Sequence, residues 1–174
     1  MTVEAAAMLE NYGRIKSIEM PATWQLLEDH HPQTASPSWL MFGPSNVPDV
    51  EMYLYFQGRP LTGGTQENLK AILSATSNQL TRKQIESVSE LLREACLIDA
   101  FNFLDVRVQD WNGQKVLIVE GRWNQLMHDR FWMFIPGNSE CDTVQEIWFQ
   151  APVDSYAAQL KYARQALKSI QWVG

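Results

Sequence analysis

Side chains that bind transition metals are few in this sequence of 174 residues, which has three histidines and two cysteines. Asp29, His30 and His31 bring three potential ligands together, but adjacent side chains of an extended chain point to opposite faces. The third histidine, His128, is distant in sequence, and the cysteines form no CxxC pair. We therefore predict no metal site and no cofactor.

Glycine-rich and catalytic motifs give an equally negative result. Gly63-Gly64-Thr65 precedes a predicted helix and could offer backbone N–H groups to an anion. No Lys-Ser or Lys-Thr pair follows, so the segment is not a P-loop, and we interpret it as a turn and helix start. GxSxG, HExxH and GxGxxG are all missing from the sequence. No residue is assigned a catalytic role.

A predicted β-hairpin around Asn112-Gly113 carries the most concentrated set of charges. Asn-Gly is the dipeptide most typical of a two-residue type I′ turn, in which Trp111 faces Gln114. Because strand side chains alternate between two faces, this register assigns each hairpin residue to one face. The predicted polar face holds Asp105, Arg107, Glu120, Arg122 and Phe103.

On this polar face Asp105 lies opposite Glu120, which is unfavourable for two like charges, and Phe103 lies opposite Arg122. Arg107 and Arg122 are diagonal neighbours of the acids, so the four charges can neutralise one another. Two interpretations stay open: a solvated salt-bridge lattice of little energetic value, or a site for a polar ligand or partner. We favour this face as the partner site, because an unfavourable pair of like charges that packing does not explain sometimes marks a functional site.

The opposite face of the hairpin is predicted to lie in the core. Val108 pairs with Leu117 and Val106 with Val119, and Leu104 is expected beside them. Asp110 and Lys115 are predicted to form an ion pair near the turn.

A second candidate surface is the C-terminal helix. Lys161, Arg164 and Lys168 recur at helical spacing, with Trp172 just beyond them, and form a basic stripe in an acidic protein. A solvated face with cations suited to a helix C-terminus is the alternative interpretation.

Periodicity and turn residues predict the elements that hold these residues. Thr81 and Gln84 have the spacing of a capping box, which indicates a helix start. The first ten residues are interpreted as a short helix, and Pro152 precedes a final amphipathic helix. Residues 15–27 are predicted to form a short strand that runs through a turn into a second extended piece. The other predicted elements are a strand at Trp39–Phe42, a strand at Glu51–Phe56, two helices within 65–96, and a meander at about 102–111, 114–123, 130–136 and 144–150.

The order of the C-terminal elements resembles the PsbP-like proteins. The resemblance rests on the turn at Gly113, Ile147-Trp148-Phe149, Pro152, Tyr156 and the helix ending at Leu167–Ile170, while Ile18, Pro21 and Trp24 resemble that family's opening strand and turn. It covers about half the chain. A Ran-binding nuclear import factor and bacterial secretion adaptors share this fold. The resemblance implies an antiparallel sheet flanked by helices and a non-enzymatic binding role.

Composition narrows the class of protein further. A formal net charge of -6 makes nucleic acid an unexpected partner, and no apolar run approaches the length of a membrane span, so we expect no membrane insertion. The first residues lack the basic and apolar regions of a signal peptide, and two separated cysteines favour a reducing, cytoplasmic setting.

The sequence therefore predicts one α+β domain over residues 1–174, with an antiparallel sheet of about six to seven strands flanked by helices. We expect a non-enzymatic interaction or adaptor module that binds a protein partner. The alternative is a small-molecule-binding protein or unrecognised enzyme of a cone-shaped α+β fold with an aromatic-lined pocket. The oligomeric state does not follow from the sequence.

Overall fold

Strand-forming residues separated by tight turns build a large antiparallel sheet in the computed structural model, which describes residues 7–30, 38–56, 59–75 and 79–174. Its strand order is β3-β4-β5-β10-β9-β8-β7, and the short β6 also pairs with β10. The strands of this sheet are β3 Trp24–His30, β4 Trp39–Pro44, β5 Glu51–Tyr55, β6 Arg59–Pro60, β7 Phe101–Trp111, β8 Gln114–Trp123, β9 His128–Pro136 and β10 Thr143–Pro152. The predicted antiparallel sheet and its C-terminal meander are confirmed.

A small second sheet joins the two ends of the chain. Its order is β1-β2-β11, with β1 at Met8–Tyr12, β2 at Ile15–Glu19 and β11 at Gln171–Trp172. The predicted N-terminal helix is therefore wrong from Met8 onward, and residues 1–6 lie outside the described part. Buried Gln145 links the two sheets, because its amide accepts from the Arg14 N–H at 2.6 Å and donates to the Tyr55 carbonyl at 2.7 Å.

Helices cover both faces of the main sheet. On one face lie α1 Gly63–Ser74, α2 Arg82–Ser87, α3 Ser89–Leu92 and a 3₁₀ turn at Arg93–Cys96. The predicted capping box at the start of α2 is confirmed: Thr81 and Gln84 bond reciprocally. The second predicted helix is interrupted, because Val88 leaves helical geometry and Arg93 has φ of 48°.

The other face is covered by α4, Val153–Lys168, which follows Pro152 as predicted. Leu160, Ala163 and Leu167 are buried, as expected for the apolar face of an amphipathic helix. Each face thus has its own apolar core: α4 and the small sheet pack around Ile118 and Phe131, and α1–α3 pack around Leu117 and Trp132. The hairpin β7–β8 contributes to both cores.

Candidate functional site

The hairpin turn has the predicted register at its tip. Asn112 and Gly113 have φ of 53° and 86°, as a type I′ turn requires, and Trp111 pairs with Gln114. The predicted ion pair between Asp110 and Lys115 is wrong. The Asp110 carboxylate instead accepts a hydrogen bond from the Gly113 N–H at 2.8 Å, which stabilises the turn itself.

A β-bulge at Leu104 changes the register in the outer half of β7. The predicted pairing holds as far as Asp105 opposite Glu120, but Phe103 then pairs with Gly121 and not with Arg122. The extra residue moves Phe103 to the face of α1–α3 and leaves the Leu104 side chain 60% exposed. The predictions that Phe103 belongs to the polar face and Leu104 to the core are therefore wrong.

Three of the predicted polar-face residues meet, and a fourth charge joins them from α4. Arg107 donates to Asp105 and lies 2.9 Å from the Glu120 carboxylate, which the Arg164 guanidinium approaches to 3.4 Å. We call Asp105, Arg107, Glu120 and Arg164 the charged cluster. Its two arginines offset the like-charged pair that the register creates, so the two candidate surfaces share one ion-pair network.

Arg122 does not join the charged cluster. Its guanidinium makes two hydrogen bonds to Asp129 on β9, at 2.6 and 3.0 Å, and this partner raises the pKa of Arg122. Asp129 is buried, so the pair is a structural cross-strand link. The expectation that Arg122 neutralises Asp105 and Glu120 is wrong, because Asp129 is the directly opposed residue.

Tyr156, in the first turn of α4, lies within electrostatic reach of the charged cluster. Burial raises the pKa of its phenol, and the Glu120 carboxylate raises it further. The Tyr156 hydroxyl is buried without a hydrogen-bond partner in the described part of the chain. Its ring packs on Phe149 at 5.7 Å, so the side chain belongs chiefly to the core.

The remaining residues of the basic stripe point elsewhere. Lys161 and Lys168 are exposed, and neither forms an ion pair with another described residue. Trp172 packs against the core, and its indole N–H donates to the Trp111 carbonyl at 2.7 Å. Trp172 therefore holds the C-terminal strand to the hairpin, and the stripe is not continuous.

A groove of mixed polar and apolar lining runs between α2 and the outer edge of β7. A cavity of about 690 Å³ is lined by the apolar side chains of Ile85, Ala95, Leu97, Phe101 and Phe103 and by the polar side chains of Arg82, Glu86, Ser89 and Asn102, among others. A depression of about 380 Å³ adjoins it at Ile85 and Phe103 and is lined also by Leu80, Leu104 and Asp105. We call this surface the edge groove. It meets the charged cluster at Asp105, and the bulge places both Phe103 and Leu104 in it.

Sequence reasoning missed a row of aromatic side chains on the face that carries α1–α3. Trp39, Tyr53 and Trp148 lie on three neighbouring strands: Trp39 contacts Tyr53 in a tilted arrangement with ring centroids 5.0 Å apart, and Tyr53 stacks on Trp148 at 3.9 Å. The Arg130 guanidinium lies over Trp148 at 4.0 Å. The alternation of Arg130 with Trp132 and of Trp148 with Gln150 was the available signal, since it puts all four on one face.

Of the three potential metal ligands at 29–31, the structure describes Asp29 and His30. Asp29 and His30 alternate along β3, where His30 stacks on Trp39 at 4.1 Å, and His31 lies outside the described residues. Among residues 7–30, 38–56, 59–75 and 79–174, no group of three or more histidine, cysteine or acidic side chains is placed to hold a metal ion.

Comparison with known proteins identifies a solved structure of similar fold. No protein-family model matches the sequence, and no curated protein matches it. The chain is similar to the solution structure of cyanobacterial PsbP (CyanoP) from Synechocystis sp. PCC 6803, with a TM-score of 0.58 and 8% identity over 99% of this chain and 95% of that one. The fold is therefore PsbP-like, as the sequence resemblance implied. No helix in the described part is long and apolar enough to cross a membrane.

Proposed function

We propose that this protein is a non-enzymatic interaction module that binds an extended segment of a protein partner along the edge groove. β7 is the outermost strand of the main sheet, and an outer strand can pair with an added strand. The chain itself uses this edge: Gln79 bridges Arg107, and the Leu80 N–H donates to the Val106 carbonyl at 2.8 Å. The groove continues from that point along Phe103 and Phe101.

The observation that carries the proposal is the group of apolar side chains in the groove, among them Phe101 and Phe103, beside the part of the outermost strand that residues 79–80 leave uncovered. Leu97 and Leu104 are 63% and 60% exposed at its margins, although large aliphatic side chains usually pack inside. Exposed apolar residues around a concave surface favour a partner that buries them. A strand added to β7 would pair with the free backbone N–H and C=O groups of that edge, and every second side chain of the added strand would enter the groove.

The charged cluster would contribute orientation more than affinity. Its two acids and two arginines neutralise one another, so it offers no net charge to attract a partner. Asp105 stands where the cluster and the groove meet, and it also accepts from the Gln79 amide at 3.1 Å. A polar group of the partner that meets Asp105 would fix the register of the bound segment.

The same proposal includes a cytoplasmic location and a protein partner in preference to nucleic acid. Both cysteines are free and Cys96 is exposed at the edge groove, and an exposed thiol is best preserved in a reducing compartment. The excess of acidic residues disfavours contact with phosphate backbones.

A small-molecule-binding protein is the second candidate function. The larger cavity of the edge groove falls within the range of about 300–1,000 Å³ that ligand sites occupy, and its lining combines aromatic and aliphatic side chains with a few polar ones. This candidate predicts that a small apolar compound, and not a peptide segment, raises the unfolding temperature.

The test is capture of partners from native lysate by wild type and by two matched variants. Leu104→Asp places a charge in the groove, whereas Leu126→Asp alters a leucine of equal 60% exposure that does not line it. We expect Leu104→Asp to lose a partner that Leu126→Asp retains, and a peptide from that partner to bind wild type at least tenfold more tightly than Leu104→Asp. Equal capture by both variants would exclude the edge groove.

Charge-reversed variants separate the other candidate surfaces. Arg107→Glu disrupts the charged cluster without breaking the Arg122–Asp129 pair. Lys161→Glu combined with Lys168→Glu changes only the exposed part of the basic stripe. If only the double lysine variant loses the partner, the binding site lies on α4 and not in the edge groove. Circular dichroism spectra serve as the control that each variant is folded.

A further inference from the structure

Arg130 is enclosed by indole rings from three strands on the face that carries α1–α3. Its guanidinium carbon lies 4.0 Å from the ring centroid of Trp148 on β10 and 5.1 Å from those of Trp123 on β8 and Trp132 on β9. We call Arg130 and these three tryptophans the Arg130 cage. Trp132 and Trp148 are only 4% and 9% exposed, whereas Arg130 and Trp123 are half-buried, so the cage is shielded on one side and reachable from solvent on the other.

The cage contains hydrogen-bond donors without acceptors. Nε of Arg130 and Nε1 of Trp123 and Trp132 are all buried, and none has a hydrogen-bond partner among the described residues. Guanidinium and indole N–H groups can only donate. Buried polar groups are normally paired, so these three donors, one on the cation itself and two on neighbouring indoles, call for an acceptor that the described residues do not supply.

The positive charge in the cage is also incompletely neutralised. The Nη2 group of Arg130 donates to the neutral Gln150 amide at 2.6 Å, and no described carboxylate lies within ion-pair distance of its guanidinium. Glu146, on the same face of β10, is already engaged by Arg59 at 3.2 Å and Arg93 at 3.3 Å. Arg122 shows the contrast, because Asp129 meets its guanidinium with two oxygens.

The pKa of Arg130 agrees with an incompletely neutralised guanidinium. Burial lowers the pKa of the guanidinium to about 10, and Tyr55, Glu146 and Glu51 oppose the shift only at a distance. Arg130 is still protonated at neutral pH, so the cage holds a partly desolvated cation.

We propose that the Arg130 cage binds an oxyanion group, such as a carboxylate, phosphate or sulfate. An oxyanion supplies both the negative charge and the several acceptor oxygens that a guanidinium and two indole N–H groups can share. The inference does not rest on the proposed function, because none of its residues needs to contact the edge groove. The adjacent aromatic side chains of Trp39 and Tyr53 would pack against the organic part of the molecule that carries the oxyanion.

The indole N–H signals in a ¹H–¹⁵N correlation spectrum give a direct test. We would titrate the full-length protein with sodium sulfate, and separately with N-acetyl-aspartate amide, at constant ionic strength. The Trp123 and Trp132 indole signals should shift and saturate as their N–H groups gain an acceptor. Trp111 and Trp172 are internal references, since their indoles already donate to carbonyls at 2.7 Å.

Variants establish that Arg130 is responsible. Arg130→Gln should abolish the saturable shift, whereas Arg82→Gln, which removes an exposed charge and changes the net charge equally, should preserve it. Should Arg130→Gln fail to fold, Arg130→Lys keeps the charge without the planar fork and should weaken binding about tenfold.

Every outcome of the wild-type titration decides the proposal. Saturation by sulfate at lower concentration identifies a free oxoanion as the ligand type, and saturation by the aspartate compound identifies an acidic side chain of a peptide. The proposal is overturned if neither compound moves the Trp123 and Trp132 signals, or if all indole signals drift together without saturating.

Discussion

At the scale of single residues, the aromatic row changes the ionisation of its central tyrosine. Tyr53 packs between Trp39 and Trp148, and burial raises the pKa of its phenol from 10.0 to about 12, with the carboxylates of Glu51 and Glu28 adding to the shift. Burial is also the first cause of the raised pKa values of Tyr12, Tyr55 and Tyr156. The folded protein therefore holds these phenols neutral under conditions in which the unfolded chain loses their protons.

This ionisation predicts alkaline destabilisation. The unfolded chain releases the Tyr53 proton near pH 10 and the folded protein only near pH 12, so stability is complete below pH 10 and is lost as the pH rises through that interval. In urea unfolding experiments we expect Tyr53→Phe to flatten this loss, while Tyr162→Phe, at an exposed tyrosine, leaves it unchanged. Parallel pH profiles for wild type and Tyr53→Phe would contradict the assignment.

At the scale of elements, the β7–β8 turn illustrates how backbone conformation alone can have an energetic cost. Gly113 has φ of 86°, and a Cβ added there would meet no atom within 4 Å. Gly64, in the first turn of α1, has the same open space but an ordinary negative φ. The two glycines therefore differ in backbone conformation and not in packing.

The matched substitutions Gly113→Ala and Gly64→Ala should have opposite effects on stability. Gly113→Ala puts a side chain into the left-handed region and should cost about 1 kcal/mol. Gly64→Ala should stabilise by about 0.5 kcal/mol, because alanine loses less backbone entropy on entering a helix. Chemical denaturation measures both. A stabilising Gly113→Ala would show that the turn is not type I′, and with it the hairpin register would fail.

The same hairpin shows how far a sequence can specify a site. Asn112-Gly113 was sufficient to predict the turn and every pair as far as Asp105 and Glu120. The bulge was overlooked, although the apolar alternation changes from odd numbers at Phe101 and Phe103 to even numbers at Val106 and Val108. That change of parity is the signature of one extra residue in a strand.

Contacts between elements that are distant in the chain could not be predicted from the sequence. Arg164 meets Glu120 only because α4 packs on one particular strip of the sheet, and helical spacing alone placed it with Lys161 and Lys168. The Arg130 cage likewise needs β8, β9 and β10 in register, which no local pattern fixes. The fold class and the meander were predictable from local signals, whereas the ion pairs between distant elements depend on tertiary packing.

At the scale of the whole molecule, Glu146 fastens the helical layer α1–α3 to the centre of the sheet. Its carboxylate is buried and accepts from Arg59 at 3.2 Å and from Arg93 at 3.3 Å. Arg59 also donates to the carbonyls of Glu90 and Leu91 in α3, each at 3.0 Å. One acid on β10 therefore connects the sheet, β6, α3 and the 3₁₀ turn, and these helices form one wall of the edge groove.

Removing this acid should loosen the helical layer more than the sheet. Glu146→Ala leaves two arginines without their shared partner and should cost about 3 kcal/mol, the lower end for a broken buried ion pair, because Arg93 is partly solvated. Glu146→Gln keeps an acceptor oxygen and should cost less. Amide hydrogen exchange should accelerate in α1–α3 at denaturant concentrations that leave β8 and β9 protected. Acceleration of equal size in helices and sheet would mean that both layers unfold as one unit, so that the edge groove could open only by unfolding of the entire molecule.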